Sequence, residues 1–326
     1  MSSIPATGLS VAVLDDYQDL AATVADWSPL PAGVRVHVFR TKMTEPDALV
    51  AALAEFDVLV VLRERTPMTA DLLGRLPKLR LLVTTGPYNA AIDLDAAAAN
   101  GITVCATRLS MTSTIEFTFA LLFEVTRLTG AEDRHMREGG WQLVRPLRPE
   151  LRGRTLGLVG FGLIGTEVAR IATAFGMHVL AWSQNLDPEV ARRGGAEPVS
   201  RDELFARSDF VSIHTRLSER TRGLVGAHEL GLMKPTAYLL NTSRGPIIDE
   251  PALVEALHSG SIAGAALDVF CHEPLPMDDP LISAPNVILS PHVAAMTTGH
   301  AAAWFTDVVE DINAWIAGRP IRVLSL

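Results

Sequence analysis

The chain has 326 residues, 48% of them hydrophobic, and a net charge of −9. That length suits two domains with sizeable cores, and an acidic balance with no clustered Lys/Arg run excludes a nucleic-acid footprint. No apolar stretch approaches a membrane span, and the N-terminus lacks the pattern of a secretion signal. The two cysteines, Cys105 and Cys271, lie far apart and suit reduced thiols buried as small apolar residues, so a cytoplasmic location is expected.

In chain order, Val11–Leu14, Arg35–Phe39, Val58–Val61, Leu81–Thr84 and Thr103–Cys105 read as strands. Helical patterns separate them. Thr44–Ala54 has Thr44 as its expected N-cap and Pro46 in its first turn, and Asp93–Asn100 is followed by Gly101, which suits a helix end. Strands alternating with helices predict parallel βαβ units, hence a small open α/β domain over residues 1–107. The helical pattern over Ser113–Thr129 is too apolar for a surface helix and is expected between other elements. Gly139–Trp141 and Arg145–Pro149 read as a loop. Thr155–Val159, His178–Ala181, Phe210–Ile213, Ala237–Leu240, Gly264–Leu267 and Val287–Leu289 then supply six strands, the count of a doubly wound dinucleotide fold. Thr297–Ile316 reads as a helix ending at Gly318. It is expected to return to the first domain, so that 297–326 complete that domain and 108–296 form an inserted one.

The organising stretch is Thr155-Leu-Gly-Leu-Val-Gly160-Phe-Gly162-Leu163-Ile164-Gly165. A strand, a Gly-x-Gly-x-x-Gly turn and an amphipathic helix follow one another, which is the context of a dinucleotide fingerprint. Gly160 permits the tight turn, Gly162 lets the backbone approach a pyrophosphate, and Gly165 lets the helix pack on the strand. The helix start presents N–H groups and the positive end of its dipole to phosphate.

Three downstream segments place polar residues at expected strand ends: Asn241-Thr-Ser-Arg244-Gly, Asp268-Val-Phe-Cys-His-Glu273-Pro and Ser-Pro291-His292. Ligands of open α/β sheets bind outside the carboxyl ends of strands, so the three should converge. A metal-dependent hydrolase built on His214, His292 and Glu273 would need ligand spacing that the chain does not show.

With the glycine turn, Asn241–Glu250, Ala266–Phe270, Glu273-Pro274 and Pro291-His292, the chain resembles the D-isomer-specific 2-hydroxyacid dehydrogenases. Thr85-Gly86 before Ile92-Asp93-Leu94, and Glu116, are weaker matches, and the likeness runs from about residue 55 onward. The resemblance implies a Rossmann NAD(P)-binding domain inserted in a smaller flavodoxin-like substrate-binding domain. It implies a hydride transfer between a nicotinamide and a 2-keto or D-2-hydroxy acid. His292 would be the general acid and base, a role imidazole suits. Glu273 would orient it and favour the imidazolium, while neighbouring His272 is read as exposed loop. Arg244 would bind the substrate carboxylate through its planar fork. Backbone N–H groups near Thr85 and Gly86 would hold the other side of that carboxylate, with Pro87-Tyr88-Asn89 departing from the family pattern. Asp268 would meet the nicotinamide carboxamide, and Thr215 and Thr242 would line the cofactor path.

Ser183 stands where an NAD site usually has an acid on the ribose. Without that acid, repulsion against a 2′-phosphate is lost, but neutral Gln184 offers it no attraction, so NAD is expected, with weaker discrimination against NADP than an acidic site would give. A homodimer through the cofactor domain and the Ser113–Thr129 helix is expected, with no nucleic-acid or membrane partner. The alternative function is an NAD(H)-sensing protein like the corepressors of the same fold.

Overall fold

A computed structural model describes residues 8–108, 111–143 and 147–324. Arg145 and Pro146 of the expected loop lie outside the described residues. The chain forms two compact units, Met1–Ser110 with Met296–Leu326, and Met111–Ala295.

The first unit holds β1 (Ser10–Leu14), β2 (Arg35–Val38), β3 (Val58–Val61), β4 (Leu81–Thr84) and β5 (Thr103–Ala106), all parallel in the order β2-β1-β3-β4-β5. The two-residue period of a strand sorts their side chains. Val11, Val13, Val58 and Val60 face one layer, where helix Thr298–Ile316 contributes Phe305, Val308, Ile312 and Trp315. Ala12, Leu14, Leu59 and Val61 face the other, against Leu49, Leu53, Leu72, Leu73 and Ala97. Burial on both faces is why the central strands read as unbroken apolar runs. Edge strand β2 instead alternates between exposed and half-buried.

Helix Thr298–Ile316 starts as expected at Thr297, whose Oγ1 accepts from the His300 N–H at 3.2 Å. The chain then returns to the sheet, with Leu324 N–H donating to Val104 O at 2.8 Å. The earlier helix Pro46–Leu53 departs from expectation. Its N-cap is Glu45, not Thr44, because Pro46 occupies the first helical position, where its missing N–H is no loss.

The second unit holds β6 (Thr155–Val159), β7 (His178–Trp182), β8 (Glu197–Pro198), β9 (Phe210–Ile213), β10 (Tyr238–Asn241), β11 (Gly264–Leu267) and β12 (Val287–Leu289). They form one seven-stranded parallel sheet, ordered β12-β11-β10-β9-β6-β7-β8. Six strands were expected. The extra one, β8, has two residues and ends in a proline, so it carries no period and sits only at an edge.

The apolar helix runs Thr112–Arg127 and buries Phe119, Leu121, Leu122 and Val125 with Leu156, Leu158 and Leu240 of the sheet. It stops before the expected Thr129. Leu128 turns left-handed at φ 55°, and a second helix, Thr129–Arg137, follows with no buried residue. The Glu124 carboxylate enforces the break by accepting from Thr129 Oγ1 at 2.6 Å and Gly130 N–H at 3.1 Å. Cys105 is fully buried, and burial pushes its thiol up to about 12. Cys271 is only half-buried, contrary to expectation, and its N–H donates to Glu250 at 3.3 Å. Among the described residues, no helix is long and apolar enough to cross a membrane.

A charge cluster ties the C-terminal segment to helix Thr298–Ile316. Arg322 Nε donates to Asp311 Oδ1 at 3.0 Å, Arg322 Nη1 meets Glu310 at 2.9 Å, and Arg108 pairs with Asp307. Asp311 is wholly buried, and its Oδ2 has no hydrogen-bond partner. Burial pushes its carboxyl up to about 7, against the opposing pull of Arg322. A raised folded-state value means the folded protein holds this proton more tightly than the unfolded chain. The stability so gained is complete below the ordinary carboxylate range and is lost as pH rises through about 7. We expect Asp311→Asn to gain melting temperature relative to the parent on going from about pH 5 to about pH 8. Thermal scans of both proteins across that range check it, and a pH-independent difference would refute it.

Candidate active site

The fingerprint turn lies between β6 and helix Leu163–Ala174. Gly160 has φ 105°, and a Cβ there would lie 2.6 Å from the backbone of His214 and Thr215. Glycine is therefore what lets the turn lie against the end of β9. A Cβ on Gly165 would sit 2.4 Å from the Gly160 carbonyl oxygen, so the helix closes tightly on the turn. Gly162 is different: nothing lies within 4 Å of where its Cβ would be. It is the N-cap of the helix, and Thr166 N–H is the first to reach back, to Gly162 O at 2.9 Å. The N–H groups of Leu163, Ile164 and Gly165 precede that first helical bond. Open space in front of a helix N-terminus is what a dinucleotide pyrophosphate requires, so the turn fits a nicotinamide cofactor.

Ser183 follows β7 directly. Its Oγ accepts the Phe161 N–H of the glycine turn at 2.7 Å, which places it beside the fingerprint. Arg192 pairs with Glu189 on its own helix. The Thr215 carbonyl accepts from Ser243 Oγ, and Thr242 Oγ1 meets Thr118 Oγ1 at 3.3 Å, so both threonines knit neighbouring elements together.

The three strand-end segments meet in the second unit. His292 Nδ1 lies 2.7 Å from Glu273 Oε2. With Nδ1–H donating to the carboxylate, Nε2 is the atom left for proton exchange. Glu273 also accepts the Phe270 N–H at 3.0 Å. Burial pushes its carboxyl up, but the His292 hydrogen bond and charge, the Phe270 N–H and the Arg244 charge outweigh this and hold it below its usual value. Neighbouring His272 is exposed.

Arg244 follows β10 and is half-buried, with Nη1 donating to the Ser243 carbonyl at 2.7 Å. Asn241, which the sequence marks as the start of this motif without showing its role, shapes this segment. Its Nδ2 donates to Arg244 O at 3.0 Å, and its Oδ1 accepts Ser243 N–H at 2.9 Å. The signal was available, since Asn readily bonds to the backbone just after it. Gly245 brings the Arg244 segment against the Glu273 segment: a Cβ there would lie 2.0 Å from the Phe270 carbonyl carbon.

Asp268, expected at the nicotinamide carboxamide, is fully buried and takes three donors from within the chain, which leaves a further acceptor position on its carboxylate. It accepts from Ser290 Oγ at 2.7 Å and from the N–H groups of Val293 and Ala294 at 2.9 Å each. Burial raises its carboxyl, opposed by these donors and the His292 charge. Ser290 is a second residue missed in sequence, and only its place beside Pro291-His292 hinted at it.

Thr85 and Gly86 belong to the first unit, at the end of β4. Thr85 N–H donates to Val61 O at 3.0 Å, and Gly86 N–H to Thr107 Oγ1 at 2.6 Å. Both donors expected for a substrate carboxylate are thus engaged inside that unit. Asn89 braces the same loop, with Nδ2 bonded to Arg63 O at 2.8 Å and to Thr84 Oγ1 at 2.9 Å.

His214 Nε2 lies 2.9 Å from Ser212 Oγ, and burial pushes its imidazole down to about 4. Among the described residues, no group of three or more His, Cys, Asp or Glu is arranged to hold a metal ion.

Residues 119–294 match the family model described as "D-isomer specific 2-hydroxyacid dehydrogenase, NAD binding domain". The chain is 38% identical over 294 residues to a glyoxylate reductase of Korarchaeum cryptofilum, covering 89% of this chain and 85% of that one. It is 36% identical over 288 residues to a D-3-phosphoglycerate dehydrogenase of Mycobacterium bovis, covering 88% of this chain and 54% of that one. Among solved structures, the phosphoglycerate oxidoreductase of Vibrio cholerae superposes with a TM-score of 0.90 at 32% identity, covering 95% of this chain and 99% of that one.

Proposed function

Since the chain belongs to the D-isomer specific 2-hydroxyacid dehydrogenase family, we propose that it interconverts 2-keto acids and D-2-hydroxy acids, with His292, Glu273 and Arg244 as its catalytic residues. The observation that carries this reading is the 2.7 Å contact between His292 Nδ1 and Glu273, within reach of the Arg244 charge. A reduced nicotinamide, when bound, supplies the hydride for the keto carbon. Glu273 stays ionised at neutral pH and stabilises the imidazolium. His292 then gives its Nε2 proton to the forming alkoxide and takes it back in the reverse direction. Arg244 offers a fixed, permanently charged fork to the substrate carboxylate and draws charge from the keto oxygen. Thr85 and Gly86 would serve substrate binding only by exchanging the present partners of their N–H groups, Val61 O and Thr107 Oγ1, for a carboxylate. Glyoxylate is the first substrate to assay, given the glyoxylate reductase among the relatives.

Gly160, Gly162, Leu163, Ile164 and Gly165 would hold the pyrophosphate. Thr215, Thr242 and Arg244 would border the nicotinamide half, and Ser183 would face the adenosine ribose. Ser183 supplies no carboxylate, so nothing at that position repels a 2′-phosphate, and neutral Gln184 supplies no charge to attract one. The cofactor is thus NAD(H), with weak discrimination against NADP(H).

The second unit also offers a surface for a homodimer. Phe123 and Phe175 are each 39% exposed and pack edge to face at 5.4 Å beside helix Thr112–Arg127. A closed two-fold pair would bury them, and pairs of this kind are the commonest oligomers. Sedimentation at micromolar concentration is expected to give a dimer, and a monomer there removes the inference.

His292→Gln is expected to lower turnover about 10²–10⁴-fold with cofactor affinity nearly intact. Arg244→Lys, which keeps charge but loses the fork, should raise the KM for the keto acid and lower kcat. Steady-state kinetics on glyoxylate check both, and parental values in either variant would strip that residue of its role. Ser183→Asp should raise the ratio of kcat/KM with NADH to that with NADPH by about tenfold or more, the effect of placing charge against phosphate. An unchanged ratio would mean that Ser183 is not at the ribose.

A further inference from the structure

The strand order of the first unit, β2-β1-β3-β4-β5, reverses at β1. The chain leaving β1 puts Leu20 and Ala21 on one layer, and the chain leaving β3 puts Leu72 and Leu73 on the other. The two loops therefore part, and a sheet of this order takes ligands in the crevice between them, at the carboxyl ends of β1 and β3. None of the residues of the proposed chemistry lies in these loops. Their backbone is strained. Asp15 and Asp19 after β1 and Arg63 after β3 are left-handed, at φ 58°, 57° and 59°. Non-glycine residues hold such angles only where the surroundings impose them, and they gather at ligand sites.

Arg65 bridges the two loops. Its Nη1 donates to the Asp15 carbonyl and its Nη2 to Gln18 Oε1 at 3.4 Å, and its guanidinium carbon lies 4.6 Å from the centroid of the exposed Tyr17 ring. Four acids border the crevice, and each is committed. Asp15 accepts from Thr66 Oγ1, and Asp16 accepts the N–H groups of Leu20 and Ala21 at 2.9 and 2.8 Å. Asp19 pairs with Arg40 at 2.8 Å, and Glu64 meets Arg63 at 3.6 Å. Among the described residues, no carboxylate stands within ion-pair distance of Arg65. Arg65 Nε has no partner in the chain and keeps exposed surface. Burial disfavours the charge of this guanidinium, opposed by Tyr17, Asp15 and Asp16.

We propose that the crevice between Tyr17 and Arg65 binds a small anionic group, a carboxylate or a phosphate. Two of the five guanidinium N–H groups are spent within the chain, and the others would take the anion in charge-assisted bonds. The anion is either the second acidic group of a 2-keto acid, which rests on the dehydrogenase reading, or a free ion, which does not.

The test uses the full chain with NADH present, so that the site for the cofactor's own phosphates is filled. Inorganic phosphate, followed by titration calorimetry, should bind the parent, and Arg65→Gln should weaken it about tenfold or more, the worth of bonds to a charged group. Gln18→Glu changes an exposed residue, so the fold is kept, and it sets a carboxylate against the guanidinium. It should displace phosphate to a similar extent. No phosphate binding by the parent, or parental affinity in Gln18→Glu, overturns the proposal. The source of the anion is read from the ratio of kcat/KM for 2-ketoglutarate, with two acids, to that for glyoxylate, with one. A ratio that falls about tenfold in both variants makes the group the substrate's. A ratio that holds while phosphate affinity falls makes it a free ion. A parent that reduces neither keto acid fails the dehydrogenase reading, and the phosphate titration still decides the site.

Discussion

All strands of a parallel sheet end at the same edge, and the proposed chemistry of the second unit depends on that constraint. The segments after β10, β11 and β12 must emerge side by side, because β10 pairs with β11 and β11 with β12 in register. Arg244, Asp268 with Glu273, and His292 are separated by many residues in sequence and by a few strand widths in space. Strand pairing alone brings them together only coarsely. The finer placement comes from buried polar groups: Asn241 within its own loop, Phe270 N–H on Glu273, and Asp268 beneath the His292 turn.

Close backbone approach is the second device. Gly245 lets one loop lie against the carbonyl of Phe270, and Gly160 lets the fingerprint turn lie against His214 and Thr215. Side chains there would push apart the loops at the carboxyl ends of the strands, the edge at which ligands of open α/β sheets bind. Gly162 shows the opposite case, where the missing side chain leaves room for a ligand and not for protein. The same residue type thus does two jobs within one motif, and only the structure tells them apart.

Much of this was legible in the sequence because the relevant forces are local. Val58–Val61 and Leu81–Thr84 are buried on both faces, so composition alone marks them as strands. The glycine turn and the Pro291-His292 strand end were readable for the same reason. What was not legible depends on partners distant in the chain. Nothing near Gly86 announces that Thr107 will take its N–H, and nothing near Thr242 points to Thr118. The break at Leu128 was hidden because an apolar residue there continues the helical pattern, while the cause lies in the Glu124 side chain. Edge strand β8 was hidden by its brevity.

Glu273 and Asp268 show how one functional group acquires two characters. Both carboxylates feel the cost of burial, and both accept backbone hydrogens. Glu273 in addition faces the imidazole of His292 directly and the charge of Arg244, and these outweigh burial and keep it ionised. The donors on Asp268 are a hydroxyl and two amides, neutral dipoles that only partly offset a deeper burial, so its carboxyl is raised. Burial thus moves one carboxyl up, while the imidazole and guanidinium near the other hold it down, although both lie in the segment that follows β11. One group is tuned by depth against neutral dipoles, the other by the same charges that the proposed chemistry uses.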